Sequence, residues 1–229
     1  MTDQKVFSIR LPDPGLVFAS IALCIAALAA THMGTAALGH FTGITEGFGL
    51  IPLFDFDAEQ NIPTFFSVLL ILACAVCALF ARPIDKSRLP SWLPLFVSAG
   101  LFLIALDEFA SVHERVGGSL ALFVETSGIF HHAWLVVYLI ILAVLAPIGI
   151  KWLMSFDRQF QVRVVAAAGL FLFGAVGLEM ASGLIVTADL EHGAESALGF
   201  LAMTAEELLE MTGMSLFLLT LYSNILNRA

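Results

Sequence analysis

The sequence predicts an all-α membrane protein, a bundle of six transmembrane helices that forms a single domain over residues 1–229, with both termini in the cytoplasm. Three observations support this fold class. Hydrophobic residues make up 59% of the 229 residues and charged residues only 13%, and the mean hydropathy is +0.95. Six apolar segments each approach the roughly 20 residues that a helix needs to cross a bilayer. Basic residues are concentrated on one predicted side of these segments.

The composition excludes most classes of soluble protein. A soluble domain carries roughly 45–50% apolar and about 25% charged residues, so the few charges here cannot cover a globule of this size. The net charge of −9 disfavours nucleic-acid binding, which needs a basic surface. Disorder, a disulfide scaffold and collagen-like repeats also disagree with the composition. A polytopic membrane protein remains.

The six predicted helices follow one another with short loops between them. The first comes after Lys5 and Arg10, as a signal peptide would. It is longer than the roughly 7–15 apolar residues of such a peptide, so we interpret it as a retained helix. The predicted spans are about 16–38, 64–81, 92–111, 131–150, 164–186 and 197–221.

The basic residues predict the orientation of the bundle. Nine of the ten lie at the N-terminus, in the second and fourth loops or at the C-terminus, and Arg115 is the exception. Cytoplasmic loops are enriched in Lys and Arg, so both termini are predicted to be cytoplasmic, in a plasma (inner) membrane. The nine are Lys5, Arg10, Arg82, Lys86, Arg88, Lys151, Arg158, Arg163 and Arg228.

Acidic residues interrupt three of the predicted helices. No Lys or Arg lies within the six apolar spans to neutralise them. Ionisable residues at membrane depth are costly, generally face the interior of the bundle and are candidates for function. At about 1.5 Å per residue, these acids fall in the outer half of the membrane. They are Asp107, Glu108 and Glu114 in or just after the third helix, Glu179 in the fifth, and Glu206, Glu207 and Glu210 in the sixth.

Helical spacing predicts which side chains share a face. On the sixth helix, the three glutamates fall within an arc of about 100°. On a straight third helix, Asp107, Ser111 and Glu114 form one stripe. His113 points away from this stripe unless the helix end unwinds, which the nearby pair Gly117-Gly118 would permit.

The fifth helix combines a stripe of small residues with one acid. Small residues at such spacing are suited to close helix packing. Glu179 lies roughly 140–160° away from the stripe, so both faces are predicted to be covered by protein. The stripe consists of Ala167, Gly174, Gly177 and Ala181.

These acids, together with the histidines, predict a metal site. Carboxylates in a low dielectric must be protonated, reach water or bind cations. All six histidines lie on the predicted outer side, and carboxylates with imidazoles suit a divalent transition metal such as zinc, iron or manganese. The predicted ligands are Asp107, Glu108, Glu114, Glu179, Glu206, Glu210, His131 and His132, and Glu207 and Glu210 are the predicted catalytic carboxylates.

Two patterns leave the metal undetermined. The Glu-x-x-His pairs of di-iron bundles are absent from these helices, and so is a His-x-x-x-His pair that would favour zinc. The alternative is that the acids are structural groups that line a polar vestibule. The first outer loop, residues 40–63, carries an apolar segment at 47–56 that would roof the site, admit a lipid from the side or pack at the membrane interface.

Three functions agree with this pattern. The first is a metal-dependent enzyme, a hydrolase or a di-iron-type oxidoreductase, that acts on a lipid or another membrane-soluble substrate. The second is a transporter coupled to protons or divalent cations, although the inner halves of the helices lack charge. The third is a non-catalytic subunit of a membrane complex. Membrane lipids are the expected partners, nucleic acid is not, and the oligomeric state stays open.

Overall fold

The computed structural model describes residues 11–44, 46–85, 87, 89–188 and 197–228. The described residues are 82% helical and form no strand. Six of their helices are long and apolar enough to cross a membrane. The prediction of an all-helical chain with six spans is therefore confirmed. Four of the basic residues behind the predicted orientation, Lys5, Arg10, Lys86 and Arg88, lie outside the described residues.

Nine α-helices occur in the part of the chain that the structure describes. A π-helical turn, Phe173–Leu178, joins α7 and α8 into one span, Arg158–Ala188. The short helices α2 and α5 are too short to cross a bilayer. The helices are α1 (Pro14–Thr42), α2 (Leu50–Phe54), α3 (Ile62–Phe80), α4 (Leu93–Ala110), α5 (Val112–Ala121), α6 (Trp134–Leu153), α7 (Arg158–Leu172), α8 (Glu179–Ala188) and α9 (Ala197–Leu226).

Polar capping residues set several helix starts. The Asp13 carboxylate accepts a hydrogen bond from the Gly15 N–H at 2.8 Å and begins α1, with Pro14 in the first helical position. Asp157 accepts from the Phe160 N–H at 3.1 Å and begins α7 at residue 158, whereas apolarity predicted a start near residue 164. The helix therefore extends beyond its apolar part.

Helices α3 and α9 form the centre of the bundle. In the most apolar window of each helix, 50% of α3 and 44% of α9 is buried, against 6% of α6 and 11% of α1. Most of the apolar surface of α6 and α1 is therefore exposed. Gly213 lets α9 approach α7 closely, because a Cβ there would lie 2.7 Å from Phe171 N and 2.8 Å from Ala167 O.

One end of the bundle, which we call the basic end, holds an apolar and aromatic core. The rings of Phe156 and Phe160 stack at 4.0 Å, and Trp152 packs against Phe156 at 4.8 Å. Leu93 and Leu221 are fully buried in the same core. Tightly packed apolar side chains of this kind contribute most of the free energy of folding.

Polar contacts gather the helix ends around this core. The Tyr222 hydroxyl donates to Pro12 O at 2.6 Å, which places both ends of the described chain together. The Arg82 N–H donates to the Asn224 side-chain oxygen at 2.8 Å. Arg228 lies 3.6 Å from Asp157. The loops that carry the described basic residues of the predicted cytoplasmic side thus share one end of the bundle.

Candidate metal centre at the acidic end

The opposite end, which we call the acidic end, is built around a break between α4 and α5. Ser111 has φ 48° and ψ 45°, a left-handed conformation that ends α4 at Ala110. Such a conformation is uncommon for a residue other than glycine. The predicted continuous stripe through Asp107, Ser111 and Glu114 is therefore wrong, because the chain changes direction at Ser111. The helix is interrupted at Ser111, whereas Gly117 and Gly118, the pair that would permit unwinding, lie within α5.

The break turns His113 back toward Asp107. The backbone N–H of His113 donates to Asp107 Oδ1 at 2.9 Å, so this carboxylate caps the first turn of α5. The ring Nδ1 lies 3.3 Å from the other carboxylate oxygen. The Tyr138 hydroxyl on α6 donates to Oδ1 at 2.8 Å, and the ring of Trp134 meets the imidazole edge to face at 5.0 Å. The orientation of His113 is thus fixed from two helices.

Three side chains beside this pair have the spacing of a metal site. Ligand atoms of Glu59, His113 and Glu114 all lie within 4.8 Å of one another, and this is the one such group among the described residues. Because Nδ1 of His113 faces Asp107, Nε2 is the nitrogen left for a metal. A carboxylate behind a ligating imidazole is typical of metal centres. Two carboxylates and one imidazole suit zinc, iron or manganese.

The electrostatic environment favours a cation at this group. Burial alone would lower the pKa of His113, but the hydrogen bond with Asp107 and the charges of Asp107, Glu59 and Glu108 raise it above its ordinary value. Burial raises the pKa of Glu59, and the neighbouring Glu114 adds to this effect. Raised pKa values favour the protonated forms of His113 and Glu59, so a bound metal ion would compete with protons at these groups.

Glu59 reaches the group from the loop between α2 and α3. Asn61 begins α3 by accepting the Thr64 N–H at 3.1 Å, and its side-chain nitrogen donates to Pro52 O at 3.2 Å. These bonds fold the end of the loop onto the start of the helix. Glu59, two residues earlier, is half-buried as a result, with its carboxylate 3.5 Å from the Thr64 hydroxyl.

A second histidine–carboxylate group surrounds Glu179 on α8. Its Oε1 lies 3.2 Å from His132 Nδ1 and accepts from the Trp134 ring N–H at 3.1 Å. His132 Nε2 is 3.2 Å from the Ser182 hydroxyl, and the His131 ring packs edge to face against His132 at 5.0 Å. Trp134 therefore contacts both groups, because its ring also meets His113.

Glycines allow this second group to form. A Cβ at Gly183 would lie 2.7 Å from Gly128 O and 3.0 Å from His131 Cβ, so only glycine admits the segment that carries the two histidines. A Cβ at Gly174, in the π-helical turn, would lie 2.9 Å from Glu206 O and 3.1 Å from Glu210 Cγ. Two members of the predicted small-residue stripe, Ala167 and Gly174, thus contact α9, whereas Gly177 faces Phe173 of its own span.

The glutamates of α9 connect the two groups. Glu179 and Glu207 are among the electrostatic neighbours of Glu206. The electrostatic neighbours of Glu207 include Glu108, Glu59 and Asp57. Those of Glu210 include Glu207, Glu108 and Glu206, and all three α9 glutamates are half-buried. Carboxylates this close repel one another unless they share protons or a cation.

The predicted site residues thus occupy distinct places in the structure. Glu114 is in the close group, and Asp107 stands behind His113. Glu108, Glu206, Glu207 and Glu210 form a looser acidic set beside the close group, while Glu179 pairs with His132 and His131 lies next to it. The role of each in metal binding or catalysis stays a prediction. The predicted acidic loop residues Asp189, Glu191 and Glu195, with His192, lie outside the described residues.

Three residues of this end were not predicted as site residues. His113 was set aside because a straight helix pointed it away. Glu59 and Asp57 lie in a loop, where helical spacing gives no signal. One signal was present in the sequence. Asn61, followed by Pro63, marks a helix start, and this places Glu59 just before the first turn of α3.

The fold and this end of the bundle define the class of protein: a multi-pass helical protein with six membrane-length apolar helices and histidine–carboxylate groups at one end. The chain belongs to the family described as domain of unknown function DUF8692, which matches residues 16–225. Comparisons with curated proteins and with solved structures returned no match. The matched range includes both histidine–carboxylate groups and all of the predicted site residues.

Proposed function

We propose that the protein is a metal-dependent membrane enzyme that acts on a lipid or another membrane-soluble substrate. The group of Glu59, His113 and Glu114 carries the proposal, because its three ligand atoms lie within 4.8 Å of one another. Asp107 supports it by holding the imidazole from behind at 3.3 Å. A chance cluster of surface acids would not be expected to contain a histidine that a carboxylate holds in one orientation.

The chemistry of the site follows from its neighbours. A divalent metal supplies Lewis acidity that activates water for hydrolysis or, with iron, a centre for oxygen chemistry. Glu207 is an electrostatic neighbour of Glu59, and Glu210 is a neighbour of Glu207. Either carboxylate would accept a proton from the reacting water as general base. Half-burial limits the water around them and strengthens these interactions.

Apolar surface around the site supports a lipid-like substrate. Phe48 is fully exposed on the loop that carries Glu59, and Leu122 and Phe123 are exposed at the end of α5. Exposed aromatic and aliphatic side chains at helix ends suit the interface of a bilayer. A substrate held in the membrane would reach half-buried carboxylates from this interface without crossing bulk water.

We place the acidic end on the periplasmic or extracellular side of a plasma (inner) membrane, with both termini in the cytoplasm. Nine of the ten basic residues support this orientation. Attachment of a bulky impermeant thiol reagent to a cysteine introduced at Ser119 of intact cells tests it. Labelling only after the cells are broken would instead place the acidic end on the cytoplasmic side.

Metal analysis of the purified full chain tests the proposed function. We expect about one zinc, iron or manganese ion per chain after reconstitution, as for a structured site. Glu59→Gln and His113→Ala should lose it. Glu125→Gln and His40→Ala are matched controls, since both residues are exposed, and they should keep it. Metal content far below one ion in the wild type, unchanged by reconstitution, would contradict the proposal.

Activity distinguishes the enzyme from its alternatives. The metal-loaded protein is incubated in phospholipid vesicles, and the lipids are analysed by mass spectrometry for hydrolysis or oxidation. Glu207→Gln should abolish product formation and retain the metal. Zinc or proton flux that disappears in Glu207→Gln, without any lipid product, would instead identify a transporter.

A further inference from the structure

His32 is a buried histidine that neither histidine–carboxylate group uses. It lies on α1, and its side chain is only 1% exposed. Its ring stacks on Phe56 of the first loop, with centroids 4.3 Å apart and planes 5° from parallel. Phe200 of α9 stacks on it at 5.0 Å. The imidazole therefore joins the loop to two transmembrane helices.

Hydrogen bonds define the state of this imidazole. The Phe56 N–H donates to Nδ1 at 3.2 Å, so Nδ1 carries no proton. The Thr204 hydroxyl donates to Phe200 O at 2.7 Å, so its oxygen is free to accept the Nε2 proton across 3.2 Å. Both ring nitrogens thus have a hydrogen-bond partner. Asp55, 3.6 Å from Nδ1, is the nearest carboxylate.

This contact lies close to Glu59 along the chain. Phe56 is three residues before Glu59, and Asn61 fixes the chain two residues after it. The short segment between these two anchors has little freedom to move the carboxylate. His32 also contacts Thr204 of α9, which lies two residues before Glu206. Glu59 is the one member of the metal group that the loop contributes, since His113 and Glu114 both lie on α5.

We propose that docking of Phe56 onto His32 assembles the metal group, so that the loop from Asp55 to Asn61 acts as a latched lid over the site. His32, Phe56 and Thr204 are positioning residues: none is a ligand, and each acts through Glu59. Metal binding and lid docking are then coupled, and each strengthens the other by the same factor. The inference rests on the proposed metal site.

Zinc titration of the full chain in lipid nanodiscs tests the latch. Two variants, Phe56→Ala and His32→Phe, should each weaken zinc binding by about tenfold or more. The His32→Phe variant keeps a stacking ring but loses both hydrogen bonds. Phe48→Ala is the matched control, because Phe48 belongs to the same loop but is fully exposed. It should bind zinc as the wild type does. Unchanged affinity in both latch variants would overturn the inference.

Hydrogen exchange of the peptide over residues 50–61 gives a second readout. Zinc should slow this exchange in the wild type but not in Glu59→Gln, and His32→Phe should accelerate it without zinc. If Phe56→Ala does not fold, the wild-type comparison with and without zinc still decides. Zinc binding without slower loop exchange overturns the latch alone, whereas absence of zinc binding in the wild type overturns the proposed function.

Discussion

The basic and acidic ends of the bundle are built from the same helices by opposite means. At the basic end, Trp152, Phe160 and Leu221 are at most 5% exposed and pack against apolar neighbours. At the acidic end, half-buried carboxylates lie close to one another, and the predicted apolar spans contain no Lys or Arg. Close packing at the basic end therefore stabilises helices whose acidic end carries carboxylates that repel one another.

Helix α9 shows the contrast within a single element. Leu218 and Leu221 belong to the basic-end core, and Glu206 to Glu210 belong to the acidic end. Gly213 lies between them, where α9 touches the backbone of α7. The close contact at Gly213 holds the acidic residues of α9 in place from the basic end, where packing is tightest. The stability and the chemistry of the protein are therefore separable by mutation.

The largest expected effect is loss of stability at the basic end. Trp152→Ala removes a 2% exposed ring that packs on Phe156 and Phe160. Such truncations cost about 3–5 kcal/mol. Denaturation in mixed micelles, followed by circular dichroism, measures this cost. Trp92→Ala is the control: Trp92 is 49% exposed, so its loss should cost much less. Equal losses would remove the distinction between core and surface at this end.

An intermediate effect is expected behind the metal group. Asp107→Asn keeps the shape of the side chain but removes the charge that holds His113. Zinc affinity should fall about 10–100-fold, as for other carboxylates behind a ligating histidine. Calorimetric titration measures it. Asp157→Asn, the same change at the basic end, should leave zinc affinity unchanged. An equal fall in both variants would mean that overall charge, and not this contact, determines affinity.

A smaller, graded effect is expected from pH. The pKa of His113 is raised above its ordinary value, so a proton competes with the metal for its ring. Zinc affinity should therefore fall as pH decreases through that pKa, by up to about tenfold per pH unit for each proton displaced. Titration between about pH 8 and pH 6 measures the slope.

The protein without metal should respond to pH in the opposite sense. A raised pKa stabilises the folded state below the unfolded pKa, and this contribution is lost as pH rises through the folded pKa. The His113 contribution to unfolding free energy should thus decline with rising pH and vanish in His113→Ala. A zinc affinity independent of pH would show that His113 is not a ligand.

The sequence was sufficient to predict the spans because length and apolarity alone define them. Their ends were less predictable. Asp157 extends α7 into a polar stretch with Arg158 and Arg163, where hydropathy has no signal but a capping carboxylate does. Burial of α3 against exposure of α6 could not be predicted either, since both helices are almost uniformly apolar.

The acids of the candidate site were visible in the sequence because charge within an apolar helix is rare. Their arrangement was not. Ser111 adopts a left-handed conformation that its residue type does not favour, and this single residue brings His113 to Asp107. Phe56, three residues before Glu59, stacks on His32, which lies 24 positions earlier in the chain. Helical spacing contains no information about such long-range contacts.

The π-helical turn at Phe173–Leu178 has a consequence for how members of this family should be aligned. A wide turn accommodates extra chain within a helix. A relative with one residue fewer between Gly174 and Glu179 would continue as a regular helix and keep its glutamate on nearly the same face, because the wide turn absorbs the extra residue. A single-residue gap in this turn should therefore be allowed when Glu179 is aligned with the glutamates of relatives.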